Sequence, residues 1–103
     1  MPKVALLSRV KVKEGRKGRE LIVAFRPVFE LVDKEPGTLL YVLHRSKDDP
    51  DLFWVSELYA NEDAFAAHSK SDAMAAVTPA LAGLIAEAEL IIGEPVSAKG
   101  VPA

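Results

Sequence analysis

The chain contains no cysteine, which removes disulfide scaffolds, thiolate metal sites and cysteine nucleophiles together. It also lacks any basic surplus: 13 Lys and Arg stand against 15 Asp and Glu, with a pI near 5.7. Nucleic acid is therefore not the expected partner. Long apolar runs are missing as well. Residues 4–7 are too few for the core of a secretory leader, and the weakly charged stretch 73–86 is interrupted by Thr78, Pro79 and Gly83. No membrane contact and a cytoplasmic location are the expectations. Phosphate-cradling glycines are absent, since Gly15-x-x-Gly18 lacks the pattern. His44 and His68 are too far apart for metal-ligand spacing, and Asp48, Asp49 and Asp51 lack the glycine and terminal glutamate of a calcium loop. No metal, flavin or haem ligand set is readable, so the chain is expected to act without a cofactor.

What is present is one globular domain. The 103 residues are half apolar and about a quarter charged, enough for a single core and too few for two. Residues 1–95 read as that domain. Residues 96–103, with Gly100 and Pro102, read as an extended tail, and residues 93–103 are expected to lie against a neighbouring subunit. Charge is uneven along the chain: residues 1–34 carry a net +5 and residues 35–69 a net -5. The basic excess at Arg9, Lys11, Lys13, Arg16, Lys17 and Arg19 has no interleaved aromatics to stack bases, and reads as a solvated strand edge and helix start.

Residues 4–13 begin as an apolar run and end in alternation, a strand whose far end reaches solvent. From residue 18 to 34, Leu21, Phe25, Val28 and Val32 recur at helical spacing, with a kink expected at Pro27. Glu35-Pro36-Gly37 is a stop followed by a turn. Residues 38–45 and 52–59 form two strands joined by a polar hairpin turn. Asn61 caps a helical region running to about residue 85, with a restart expected at Thr78-Pro79. Residues 89–92 are a fourth strand.

The order βαββαβ gives an α+β, ferredoxin-like fold: a four-stranded antiparallel sheet with the helices on one face. Yet the strands are apolar on both faces, as in Leu39-Leu40-Tyr41-Val42-Leu43 and Leu52-Phe53-Trp54-Val55. Helices cover only one of those faces. A second copy packed sheet on sheet covers the other, so a homodimer is expected, with Trp54 in its core or interface.

A few polar residues sit inside otherwise apolar elements. Glu57 and Tyr59 share a strand face with Phe53 and Val55, and His68 borders the buried side of the second helix. His44 shares a face with Leu40 and Val42. Taken alone, each of these is more often a satisfied core or interface polar group than a catalyst.

The segments Glu57-x-Tyr59, Ala64-Phe65-x-x-His68-x-x-Ser71, Glu35-Pro36-Gly37, Tyr41-x-Leu43-His44-Arg45-Ser46 and Asp49-Pro50-x-x-Phe53 occur in an order and spacing that resembles the antibiotic biosynthesis monooxygenase (ABM) family. The resemblance spans residues 4–95 and implies a ferredoxin-like dimer, in accord with the element order. It also implies a cofactor-independent monooxygenase acting on a small aromatic quinol or phenol with dioxygen. Such chemistry needs a base and a dry pocket, because a deprotonated phenol is electron-rich enough to reduce dioxygen. On this resemblance His68 is the base, since its ordinary pKa lies near neutrality, and Glu57 orients it or holds a proton. Tyr59, Tyr41 and His44 bind substrate oxygens, and Phe65 and Met74 line the substrate site. Tyr59 stands where many members carry tryptophan. Ser8, His68 and the Val77-Thr78 region replace the residues that haem-degrading members use, which argues against haem as substrate. A non-catalytic dimeric module for a small ligand, and an isomerase of the same fold, are the competing functions.

Overall fold

A computed structural model describes residues 2–15 and 17–101; Arg16 of the basic cluster and Pro102 of the tail lie outside them. The elements run β1 (Val4–Val12), α1 (Lys17–Ala24), α2 (Arg26–Val32), β2 (Thr38–Arg45), β3 (Leu52–Tyr59), α3 (Glu62–Ser69), α4 (Asp72–Leu84) and β4 (Ile85–Gly93). The strands form one antiparallel sheet in the order β2-β3-β1-β4. With each helical region split in two, this is the ferredoxin-like βαββαβ arrangement expected from the element order. The described residues contain no helix long and apolar enough to cross a membrane.

Alternation along each strand sorts side chains between two faces. Val4, Leu6, Val10 and Val12 of β1 and Phe53, Val55, Glu57 and Tyr59 of β3 are buried on the helix-covered face. There they meet Leu21, Phe25 and Val28 from α1, α2 and the residue between them. Leu7 and Ile91 pair across β1 and β4 on the opposite face and are 38% and 53% exposed. That face also carries the neighbouring pair His44 and Trp54.

Both helix interruptions have local causes. Pro27 has no N–H to donate to the carbonyl four residues back, so the helix divides just upstream and Pro27 falls in the first turn of α2. The break is thus at Phe25, two residues before the expected kink. The second break lies at Lys70-Ser71 rather than at Thr78-Pro79. Ser71 turns extended and its hydroxyl accepts from the Met74 amide at 3.2 Å, capping α4. Pro79 then runs inside α4, where the Thr78 hydroxyl donates to the Met74 carbonyl at 2.7 Å.

β4 is longer than residues 89–92. The poor strand formers Ala86, Glu87 and Ala88 are drawn into it by pairing with β1, where Arg9 faces Glu89 and Lys11 faces Glu87. The basic cluster is correspondingly spent in part on local partners: Lys11 also pairs with Asp49, and Lys17 lies 3.2 Å from Glu20.

Core substitutions should separate sharply from surface ones. Leu21 is fully enclosed while Val23, two residues on, is 49% exposed. Leu21→Ala should lower unfolding free energy by about 2–5 kcal/mol, and Val23→Ala should change it by no more than ~0.5 kcal/mol. Urea denaturation of both variants measures the contrast; equal losses would contradict the assignment of this core.

Candidate active site

β3 lies between β1 and β2, and its inward alternation places Glu57 in the middle of the covered face, opposite Leu6 on one side and Tyr41 on the other. Asn61 starts α3 by accepting the Ala64 amide at 2.8 Å, with Glu62 and Asp63 favourable in the first turn. From that start, Phe65 and His68 fall on the side of α3 that faces the sheet. Between sheet and helices these elements leave a cavity of about 320 Å³. Its polar lining includes Ser8, Tyr41, Glu57 and His68, set among apolar residues such as Phe65 and Met74. A larger groove of about 580 Å³ near Gly15, Arg19 and Arg45 contains no buried ionisable group, so the smaller cavity is the candidate site.

Glu57 is 8% exposed. The Tyr59 hydroxyl donates to its Oε1, and the Ser8 hydroxyl reaches its Oε2 at 3.4 Å. Burial pushes the Glu57 carboxyl above the usual carboxylate range, opposed by these hydrogen bonds and by nearby His68. Tyr59 is held well above the ordinary phenol range, first by burial and then by its bond to Glu57. Tyr41 is raised in the same direction by burial and by the Glu57 and Glu35 charges. Both tyrosines therefore remain protonated donors at neutral pH.

His68 is enclosed, with the Tyr41 and Tyr59 rings 5.5 and 5.4 Å away. Its Nδ1 lies 2.8 Å from Glu35 Oε1. Among the described residues, neither His68 Nε2 nor the Tyr41 hydroxyl has a hydrogen-bond partner, and no fully buried side-chain polar atom is orphaned. Both residues line the cavity, so these two atoms open onto it. A base nitrogen and a phenolic donor side by side in an apolar chamber can take a proton from a hydroxyl and hydrogen-bond the oxygen it leaves.

The structure thus gathers five of the candidate residues, Tyr41, Glu57, Phe65, His68 and Met74, around one cavity. Two others are placed elsewhere. Tyr59 is wholly enclosed behind Glu57 and does not line the cavity; its hydroxyl donates to the Glu57 carboxylate. His44 lies on the opposite sheet face, stacked on Trp54 at 5.4 Å and 3.2 Å from the Ser56 hydroxyl, because one step of alternation separates it from the face of Tyr41 and Leu43. The carboxylate within hydrogen-bond distance of His68 is that of Glu35, not Glu57. Glu35 reads in the sequence only as part of a helix stop, and no spacing rule links it to a histidine 33 residues away. Among the described residues no three His, Asp or Glu side chains converge as for a metal ion.

Burial of Glu57 has a consequence for stability. Because folding raises this carboxyl, the folded protein binds the proton more readily than the unfolded chain, and its stability falls as pH rises from about the ordinary value of 4.5 through the raised one. Glu57→Gln lacks that loss. It should be more stable than the parent at pH 7.5, with the gap narrowing as pH falls toward 4.5 and constant below it. Urea unfolding at pH 4, 5.5 and 7.5 reads this; a gap independent of pH would show that Glu57 is not penalised by burial.

A family model described as "Antibiotic biosynthesis monooxygenase" matches residues 4–79. No curated protein matches the chain. Solved structures share its fold. A variant of SnoaB, a cofactor-independent oxygenase from Streptomyces nogalater, superposes with a TM-score of 0.85 at 17% identity, over 97% of this chain and 99% of that one. A conserved protein of unknown function from Bacteroides thetaiotaomicron gives 0.81 at 26% identity, over 90% and 97% of the two chains. A conserved protein from Methanosarcina mazei gives 0.83 at 22% identity, over 90% and 92%. With most of its length matched by the family model and the fold shared nearly end to end, the chain belongs to the antibiotic biosynthesis monooxygenase family.

Proposed function

We propose that this protein is a cofactor-independent monooxygenase that oxidises a small aromatic quinol or phenol with dioxygen. The observation that carries the reading is the unpartnered Nε2 of an enclosed histidine opening onto an apolar cavity beside an unpartnered tyrosine hydroxyl. His68 Nε2 takes the proton of the substrate hydroxyl, and Tyr41 hydrogen-bonds the resulting phenolate oxygen. The phenolate supplies electrons to dioxygen, a carbon–oxygen bond forms, and cleavage of the peroxide O–O bond leaves a ring carbonyl and releases water. Both reducing equivalents come from the substrate, so no separate reductant is required. Glu57, buried and raised, is suited to holding a proton during this sequence. A cavity of about 320 Å³ is at the small end of ligand sites, which run from ~300 to ~1,000 Å³, and suits one or two fused rings.

The same reading includes a homodimer packed sheet on sheet. The accessible surface is 6681 Å², whereas a folded monomer of 11.1 kDa should expose roughly 5,700 Å². Part of this excess lies in the largely exposed residues 94–101 and part on the uncovered sheet face. Leu7, Trp54 and Ile91 on that face would form the core of the interface. A cytoplasmic location and the absence of a nucleic-acid partner belong to this proposal too.

Dioxygen uptake across a panel of benzo- and naphthoquinols, with metal-free protein, tests the activity. His68→Ala should lower turnover by roughly two to four powers of ten and leave the assembly unchanged. Saturable ligand binding without oxygen uptake would instead support a binding module, and oxygen-independent conversion an isomerase. Sedimentation equilibrium tests the assembly: the parent should be dimeric at micromolar concentration and Leu7→Glu monomeric. A stable parent monomer would overturn the sheet-on-sheet dimer.

A further inference from the structure

We propose that the turn at residues 35–38 is a positioning element for the cavity histidine. It holds neutral His68 in the tautomer protonated on Nδ1, so that Nε2 is the nitrogen left free toward the cavity. The role of Nε2 as proton acceptor rests on the function proposed above; the tautomer assignment does not.

A carboxylate oxygen only accepts hydrogen bonds. With Glu35 Oε1 at 2.8 Å, His68 Nδ1 must carry the proton, and the tautomer follows from this bond. The carboxylate is itself fixed. The Thr38 hydroxyl donates to the same Oε1 at 2.9 Å, the Thr38 amide donates to the Glu35 carbonyl, and the Glu35 amide donates to the Val32 carbonyl, both at 3.1 Å. The Ala60 amide bonds the Gly37 carbonyl at 2.9 Å, tying the turn to the end of β3. Glu57 does not share this role: its oxygens receive Tyr59 and Ser8, and the bond to His68 Nδ1 comes from Glu35.

Gly37 sets the distance. A Cβ built on it would lie 2.5 Å from the Ala64 side chain, well inside van der Waals contact. Its hydrogen is what lets α3 seat directly on the turn, one helical turn before His68. Thus Glu35 supplies the acceptor, Thr38 braces it and Gly37 admits the helix that carries the ring. None of the three lines the cavity, so all act through His68 and not on a ligand.

The test is ¹⁵N NMR of the imidazole in the full-length protein, at a pH where the ring is neutral. The parent should show the proton on Nδ1. Glu35→Gln should retain that tautomer, since the amide oxygen still accepts, while Glu35→Leu should move the population toward Nε2–H. Gly37→Ala should move it the same way, and provides the measurement should Glu35→Leu not fold. In the quinol assay Glu35→Leu should lower kcat by about a hundredfold or more, as loss of the correct tautomer does in other carboxylate–histidine pairs. KM should stay within about twofold, and Gln should restore most of the rate. An Nε2–H parent, or an Nδ1–H tautomer unchanged in both Glu35→Leu and Gly37→Ala, would overturn the proposal. If the parent oxidises no quinol, the functional reading fails on its own, and the NMR result still decides the role of the turn.

Discussion

The alternation of β3 is the constraint on which the site depends. This strand is paired on both sides, so its register is fixed twice over. A one-residue slip would exchange Phe53, Val55, Glu57 and Tyr59 for Leu52, Trp54, Ser56 and Leu58 on the helix side. The pattern tolerates that exchange poorly, because the first set packs against the helices and places an ionisable group where a second buried group can answer it. Tyr59 is that answer. Its hydroxyl lies two residues along the same face, and the carboxylate it binds would otherwise stand in the sheet without a strong donor.

Much of this was legible in the chain. The strand faces, the hairpin and the grouping of Glu57 with Tyr59 follow from a period of two, and the Asn61 cap places Phe65 and His68 on one side of a helix. Less legible were relations that cross between elements. Tyr59 and Tyr41 alternate in their strands in the same way, yet one is sealed behind a carboxylate and the other faces the cavity; depth within the layer decides this, and periodicity does not report depth. Glu35 is the sharper case. Its partner is chosen by where α3 lands on the preceding turn, and that contact depends on a missing side chain at Gly37.

The helix breaks teach the same lesson at smaller scale. Proline marks a place where a backbone donor is lost, but it does not say on which side the chain will yield. At Pro27 the helix divides upstream, so the ring falls where no donor is needed. At Pro79 the helix continues, and the break moves to Ser71, whose hydroxyl can cap a new start. Competition among local hydrogen-bonding options settles each case.

The position of β4 beside β1 carries one further consequence. These strands come from opposite ends of the folded region, with Leu7 facing Ile91. Closing the sheet therefore requires the longest loop closure the fold contains, and that entropy must be met before the pairing returns anything. Until it happens, β1 has one unpaired edge and α4 packs over a sheet that lacks its outer strand. The ββ hairpin and its flanking helices can form from nearby contacts, while β4 must close across nearly the whole chain to reach β1. Loop-closure entropy thus makes β1–β4 docking the costliest pairing of the sheet, and a chain without it would show an open sheet edge to its neighbours.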